Sequence, residues 1–289
     1  MIYVSTGGFS NETAYKTACN FINANIFACE LSGGTFDKNI EDSLAKLKSK
    51  CNIQLHNYFP PPEKPFVMNL ASGDIDIVKK TFNHIKRSID LSSKLGTNIY
   101  SFHAGYLLDP KVDELGRRVQ KQSLFDRADG LKRFIENVNS LATYAKKMDT
   151  TLLIENNVLS HNNYKHFGTN PFLMVEEKEC EYVMQNTLKN VFLLVDVAHL
   201  KVSSTSLGFN KENFLETVSP WIRAYHLSDN DGLSDSNKPV TKDSWFWPYI
   251  KKNLDYYSLE VYGNSPLELV EQLRLTESQI KINVKDYTT

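Results

Sequence analysis

Eight short apolar, β-branched runs recur along the chain: "IYVS" (2–5), "IFACEL" (26–31), "NIQLH" (52–56), "NIYSFH" (98–103), "TLLIE" (151–155), "VFLLVD" (191–196), "IRAYHL" (222–227) and "YSLEVY" (257–262). Runs apolar on both faces are what a parallel sheet covered by helices requires. Between them lie stretches of helical periodicity. In 76–96, Ile77, Phe82, Ile85, Ile89 and Leu95 form one stripe and Gly96 supplies a C-cap. Further helices are expected at 128–147, 170–188 and 265–276. Strand and helix alternate throughout, which leaves a closed barrel or an open doubly wound sheet. No GxGxxG follows an early strand, and "STGGFS" (5–10) spaces its glycines wrongly, so the open dinucleotide-binding sheet is disfavoured. No linker-like stretch or strict repeat divides the 289 residues, a length close to the roughly 250 of an eight-fold barrel. The expectation is an α/β protein, a single (β/α)8 TIM-barrel domain over 1–289.

Composition narrows the partners. Lys and Arg number 33 against 34 Asp and Glu, a net charge of −1, so no global field gathers a polyanion and a nucleic-acid partner is disfavoured. The densest basic stretch, "GRRVQK" (116–121), reads as solvated surface. No apolar run approaches the roughly 18 residues of a membrane helix, and "MIYVSTGGFS" lacks a basic leader before an apolar stretch, so a cytoplasmic protein without membrane attachment is expected. Cys19, Cys29, Cys51 and Cys180 are widely spaced and form no CxxC pair; they read as reduced, buried, small apolar residues. A homo-oligomer is compatible with this composition.

"LLVDVAHLKVS" (193–203) then poses a question, because an apolar strand ends in Asp196 with His199 just beyond. In a βα barrel the strand C-termini converge on one mouth, where catalytic groups sit. The strand ends from the second onward carry Glu30, His56, His103, Glu155, Asp196, His226 and Glu260. Burying so many carboxylates and imidazoles near one point is costly unless something positive pairs with them. A divalent cation is the economical partner. Glu155, Asp196, His226 and Glu260, on strands five to eight, could surround one ion. Three oxygen donors and one nitrogen favour Mn²⁺, Mg²⁺ or Co²⁺ over a closed structural zinc site, with Zn²⁺ in an open site also allowed.

The motifs "LLIENN" around Glu155, "LVDVAHLKVS" with its DxxH, "AYHLSDNDG" around His226 and "YSLEVYG" around Glu260 resemble, in order and one per strand, the xylose isomerase-like, AP endonuclease family 2 barrels. That group includes sugar isomerases, sugar epimerases and endonuclease IV. The resemblance implies a metal held by Glu155, Asp196, His226 and Glu260, with His199 near substrate. In the epimerase branch it also implies that Glu155 and Glu260 act as acid and base. A metal on a substrate carbonyl acidifies the neighbouring C–H, which is the chemistry two flanking carboxylates can use.

Two departures stand out. Endonuclease IV-like members carry an Asp-x-His pair after strand seven, whereas here no histidine follows Asp235 in "NDGLSDSNKPVTKDSW". Some ketose 3-epimerases place an arginine where this chain has Gly232. The leading expectation is a metal-dependent sugar or sugar-phosphate isomerase or epimerase acting on a small molecule. Behind it come a metal-dependent polyol dehydratase or lyase, an endonuclease IV-like phosphodiesterase using His56, His103, His199 and Asp229 for further ions, and a noncatalytic binding protein.

Substrate-facing candidates are His56, His103, His199 and Trp245. Trp245, Phe246 and Trp247 are expected to open a helix after strand seven capped by Asp243. His161 and His166 read as exposed, and His84 as structural or surface. The proline cluster "FPPPEKP" (59–65) reads as a rigid loop. Residues 105–121 are long enough for a lid, whose Arg117 or Arg118 would select an anionic substrate if turned inward.

Overall fold

The computed structural model describes residues 1–114 and 117–285, with side chains as far as 280. Eight parallel strands close in sequence order: β1 (Ile2–Ser5), β2 (Ala28–Leu31), β3 (Asn52–His56), β4 (Ile99–His103), β5 (Thr151–Glu155), β6 (Val191–Asp196), β7 (Ile222–Leu227) and β8 (Tyr256–Leu259), which returns to β1. Around them lie α1 (Ala14–Asn23), α2 (Ile40–Leu47), α3 (Ile75–Leu95), α4 (Arg127–Lys147), α5 (His161–Phe167), α6 (Glu177–Gln185), α7 (Val197–Leu207), α8 (Lys211–Val218) and α9 (Pro266–Lys285). This is the TIM barrel that the strand pattern called for.

Period-two alternation sorts the strand residues into two layers. Leu152, Ile154, Val191, Leu193, Val195, Tyr225 and Tyr257 join the shell between strands and helices. Leu153, Leu194, Ala224 and Tyr256 form a separate apolar plug inside the barrel. One step of two residues further along the strands are Glu155, Asp196 and His226, so the mouth lies directly above the plug. α3 is capped at its start by Asp74, whose side chain accepts from Asp76 N–H at 2.8 Å, and at its end by Gly96 in the left-handed region (φ 73°).

Three expectations need correction. The helix expected over 170–188 forms only from Glu177, because residues 171–173 are taken up in extended pairing: Tyr106 bridges Phe172, and Leu173 N–H donates to Gly105 O at 3.0 Å. Among the described residues no α-helix lies between β7 and β8. Instead Ser244 Oγ donates to Asp229 at 2.7 Å and accepts from Thr241 N–H, and Trp247–Tyr249 make one 3₁₀ turn around Pro248, while Asp243 is exposed and caps nothing. β8 ends at Leu259, so Glu260 lies just past the strand. In the 105–121 segment Arg117 and Arg118 are exposed, as the surface reading of the basic stretch expects, and Arg118 Nη2 donates to His166 Nδ1 at 2.7 Å; part of this segment, Leu115 and Gly116, lies outside the described residues. His84 is structural, buried beside Tyr58 and Phe66. No described helix is long and apolar enough to cross a membrane.

Candidate metal centre

Strand β6 shows how the mouth is built. Asp196 ends the strand and caps α7: its Oδ1 accepts the N–H groups of Ala198 and His199, both at 2.7 Å. Capping uses one oxygen and leaves Oδ2 facing the mouth. Asn156, the residue after β5, fixes the same residue, accepting Asp196 N–H at 2.8 Å and donating to its carbonyl at 3.2 Å. The carboxylate at the end of an apolar strand is thus a helix cap with a second oxygen to spare.

That oxygen joins Glu155, His226 and Glu260. Their donor atoms all lie within 4.8 Å of one another, and all four residues are buried. His226 Nδ1 stands 2.9 Å from Glu260 Oε2, 3.4 Å from Glu155 Oε1 and 3.9 Å from Asp196 Oδ2. Its other nitrogen, Nε2, is 3.0 Å from Glu30 Oε2, whose partner oxygen accepts Ser258 Oγ–H at 2.9 Å. Glu30 therefore fixes the ring with Nδ1 aimed at the acids. Glu260 is held similarly, Tyr262 Oη donating to its Oε1 at 2.7 Å. The two glycines of "STGGFS" make room for that tyrosine: a Cβ on Gly7 would stand 2.7 Å from its hydroxyl oxygen.

Among the described residues, both Glu155 oxygens, Asp196 Oδ2 and His226 Nδ1 are buried without a well-directed hydrogen bond, and only the ion-pair approaches of the neighbouring rings and acids reach them. Buried polar atoms are ordinarily satisfied, so four such atoms converging on one point fit a divalent cation. The electrostatics agree. Burial, reinforced by Glu155, Asp235 and Glu260, pushes Asp196 up to about 7 against the attraction of His199. Burial opposes ionisation of Glu155 and Glu260 as well, but the imidazoles prevail: His103, His226 and His56 hold Glu155 well below the carboxylate range, and His226 holds Glu260 at about 2. His226, despite its burial, is raised well above its usual value by Glu30, Glu155 and Glu260. A cation among these ligand atoms would balance the carboxylates in place of bound protons, so its binding would depend on pH.

A second group of donors shares Glu155. His56 Nε2 and His103 Nδ1 stand 3.2 and 3.5 Å from Glu155 Oε2, and the three residues also bring ligand atoms within 4.8 Å of one another. His56 is buried, with Nδ1 2.9 Å from Ser101 Oγ. His103 is the more open of the two, and burial lowers it to about 4. His199 donates from Nδ1 to Asn156 O at 2.9 Å and meets Asp235 Oδ2 through Nε2 at 3.2 Å.

The strand-end residues expected from sequence therefore share one mouth: His56, His103, Glu155, Asp196, His226 and Glu260, with His199 at its edge. Trp245 does not join them. Its ring lies under Lys211 Nζ at 4.9 Å and beside Phe246 and Tyr249. Asp229, considered as an extra ligand, instead pairs with Lys201 and Ser244, both at 2.7 Å, and ties down the loop after β7. Asn156, Asp235, Tyr262 and the ring-fixing role of Glu30 escape sequence reasoning. For two of them a signal existed: the asparagine directly after Glu155 in "IENN", and the glycine pair that leaves space for Tyr262.

Comparison with known proteins agrees with this architecture. The family model for xylose isomerase-like TIM barrels matches residues 23–262, and the chain belongs to that family. Among solved structures, a D-tagatose 3-epimerase-like protein superposes with a TM-score of 0.70 at 15% identity, covering 97% of each chain. The 3-keto-D-glucoside 4-epimerase of E. coli gives 0.66 at 11% identity over 96% of this chain and 98% of that one. A Thermus thermophilus protein soaked with ZnCl2 gives 0.62 at 16% identity over 96% and 98%. At these identities the likeness is one of fold. A probable endonuclease 4 of Thermoplasma acidophilum is 25% identical over 169 residues, 57% of this chain, and the match spans about half, 50%, of that relative's length.

Proposed function

We propose that this xylose isomerase-like barrel is a divalent-metal-dependent sugar isomerase or epimerase, acting by proton transfer next to a carbonyl. The observation that carries the reading is the convergence of Glu155, Asp196, His226 and Glu260 with four buried donor atoms that no hydrogen bond satisfies. A bound Mn²⁺, Mg²⁺, Co²⁺ or Zn²⁺ would polarise a substrate carbonyl and so acidify the adjacent C–H. Glu155 and Glu260 both approach His226 Nδ1, at 3.4 and 2.9 Å, from different strands of the mouth. One accepts the proton and the other returns it, and their low proton affinity suffices because the C–H is acidified. Tyr262 orients Glu260, and His199, anchored to Asn156 through Nδ1 and to Asp235 through Nε2, stands at the edge of the mouth where a substrate hydroxyl would compete with Asp235 for Nε2. His103, partly open to solvent, lines the same mouth. The epimerases among the structural neighbours support the reading without fixing a substrate. The test is a ketose panel in deuterium oxide with each metal: deuterium at the reacting carbon is expected, and turnover without exchange would remove both glutamates from these roles.

A second reading, metal-dependent phosphodiester hydrolysis, is favoured by the additional His56–His103–Glu155 donor group and by the partial match to a probable endonuclease 4. Asp235 reaches His199, but no histidine accompanies it in the loop. Abasic-site DNA is expected to remain intact with Mn²⁺ or Zn²⁺; metal-dependent incision that disappears in His103→Ala would reverse the ranking.

A further inference from the structure

The end of the barrel away from the mouth holds a second kind of chemistry. Cys29 on β2 is registered with Ile53 on β3, and Cys51 precedes Ile53 by two residues. Period-two alternation then places both thiols on the same, outer face of the sheet. Their sulfurs are 3.1 Å apart and both residues are buried. We propose that Cys29 and Cys51 are a dithiol–disulfide couple, a modification site that reacts with small-molecule disulfides of the glutathione class.

Three observations support a reactive pair over two packed apolar residues. The sulfurs need to close by only about 1 Å to reach a bonded separation. Cys51 lies before the first residue of β3, at a bend, where the backbone can yield without breaking a ladder. Cys51 also lines a cavity of about 230 Å³ with Lys48, Tyr3, Asn52 and Thr97, so a reagent can approach it while Cys29 is screened. Access divides the roles: Cys51 lines the cavity, whereas Cys29 is fully buried behind it and its thiol is raised by the hydrogen bond to Cys51 and by burial. Cys51 is then the attacking thiolate and Cys29 the resolving thiol.

The reaction balances in two exchanges. Cys51 thiolate attacks one sulfur of the disulfide reagent, forming a mixed disulfide and releasing one thiolate. Cys29, losing its proton, attacks the Cys51 sulfur, forming the internal disulfide and releasing the second thiolate. The protein loses two protons and two electrons, and one reagent disulfide becomes two thiols. Cys19 provides an internal contrast, being more exposed but hydrogen-bonded to Tyr15 rather than to sulfur.

Full-length native protein incubated with oxidised glutathione decides the matter by intact mass, thiol titration and non-reducing peptide mapping. Loss of two of the four free thiols, a mass lower by two hydrogens and a peptide joining Cys29 to Cys51 are expected, all reversed by dithiothreitol. Cys29→Ser should stop at a glutathione adduct on Cys51, and Cys51→Ser should leave Cys29 unreacted. The proposal is overturned if native protein keeps Cys29 and Cys51 free while Cys19 reacts, if it accumulates a lasting Cys51 adduct, or if the link forms only in denaturant. None of these outcomes is read from sugar turnover, so the proposed activity is tested independently.

Discussion

The interior of the barrel has two storeys, built by the same strands. Leu153, Leu194 and Ala224 fill the lower one with Tyr256, and Glu155, Asp196 and His226 stand two residues further along the same β5, β6 and β7. The plug gains stability from water exclusion, as any core does. The mouth spends it, holding carboxylates and imidazoles out of water with four donor atoms unsatisfied. A step of two residues on a strand thus moves from a sealed apolar core to a cluster of candidate ligands, the arrangement expected of a site built on a rigid scaffold.

Substitution on each storey should have opposite signatures. The largest effect is expected for Glu155→Gln, which keeps an oxygen in place but removes the proton acceptor: turnover should fall by roughly 10²–10⁴ with little change in unfolding midpoint. A similar midpoint with unchanged turnover would detach Glu155 from the chemistry. On the lower storey, Leu194→Ala should cost about 2–5 kcal/mol of stability by equilibrium denaturation and leave metal content unchanged. If it instead stripped the metal, the two storeys would not be separable.

Glu30 lies between these extremes. Glu30→Gln keeps a side-chain oxygen near His226 but removes the charge, and metal affinity measured by calorimetry should drop by about 10–100-fold, with Glu30→Ala at the larger end. Equal affinity in all three proteins would reduce Glu30 to a packing role. The last expected effect is on pH dependence. The metal-free Asp196 carboxyl has its folded value raised to about 7, above the unfolded value near 3.8. Its contribution is therefore fully present below pH 3.8 and is lost as pH rises through 7. Metal-free Asp196→Asn should lose less stability than the parent between pH 4 and 7, and parallel stability curves would show that Asp196 is not strained by its neighbours.

Much of this division was legible in the sequence because a short buried strand writes its own boundary: "TLLIE" and "VFLLVD" end at the residues that turn polar, and the structure ends β5 and β6 at the same residues. Reading those last residues around a closed barrel brought the ligand candidates together. The features that escaped depend on contacts across long separations. Glu30 meets His226 across 196 residues, and no local pattern encodes that a carboxylate on β2 will orient an imidazole on β7. Trp245 failed for a different reason. The apolar "WFWPYI" looks like the start of a core helix, but Ser244 and Trp247 are drawn into hydrogen bonds with Asp229 and Thr241, and the segment around Pro248 makes only a single turn.

Asp196 faces two ways, and that gives the mouth a reporter outside it. The amides of Ala198 and His199 are tied to Oδ1, while Oδ2 is held toward the acids. Whatever pulls on one oxygen is felt by the other through a single rigid carboxylate, so the opening rate of the first turn of α7 becomes a gauge of what the mouth contains. Amide hydrogen exchange at these two positions should slow when a cation anchors Asp196 and quicken when the carboxylate is protonated, making occupancy of the barrel readable from backbone protection with no substrate in hand.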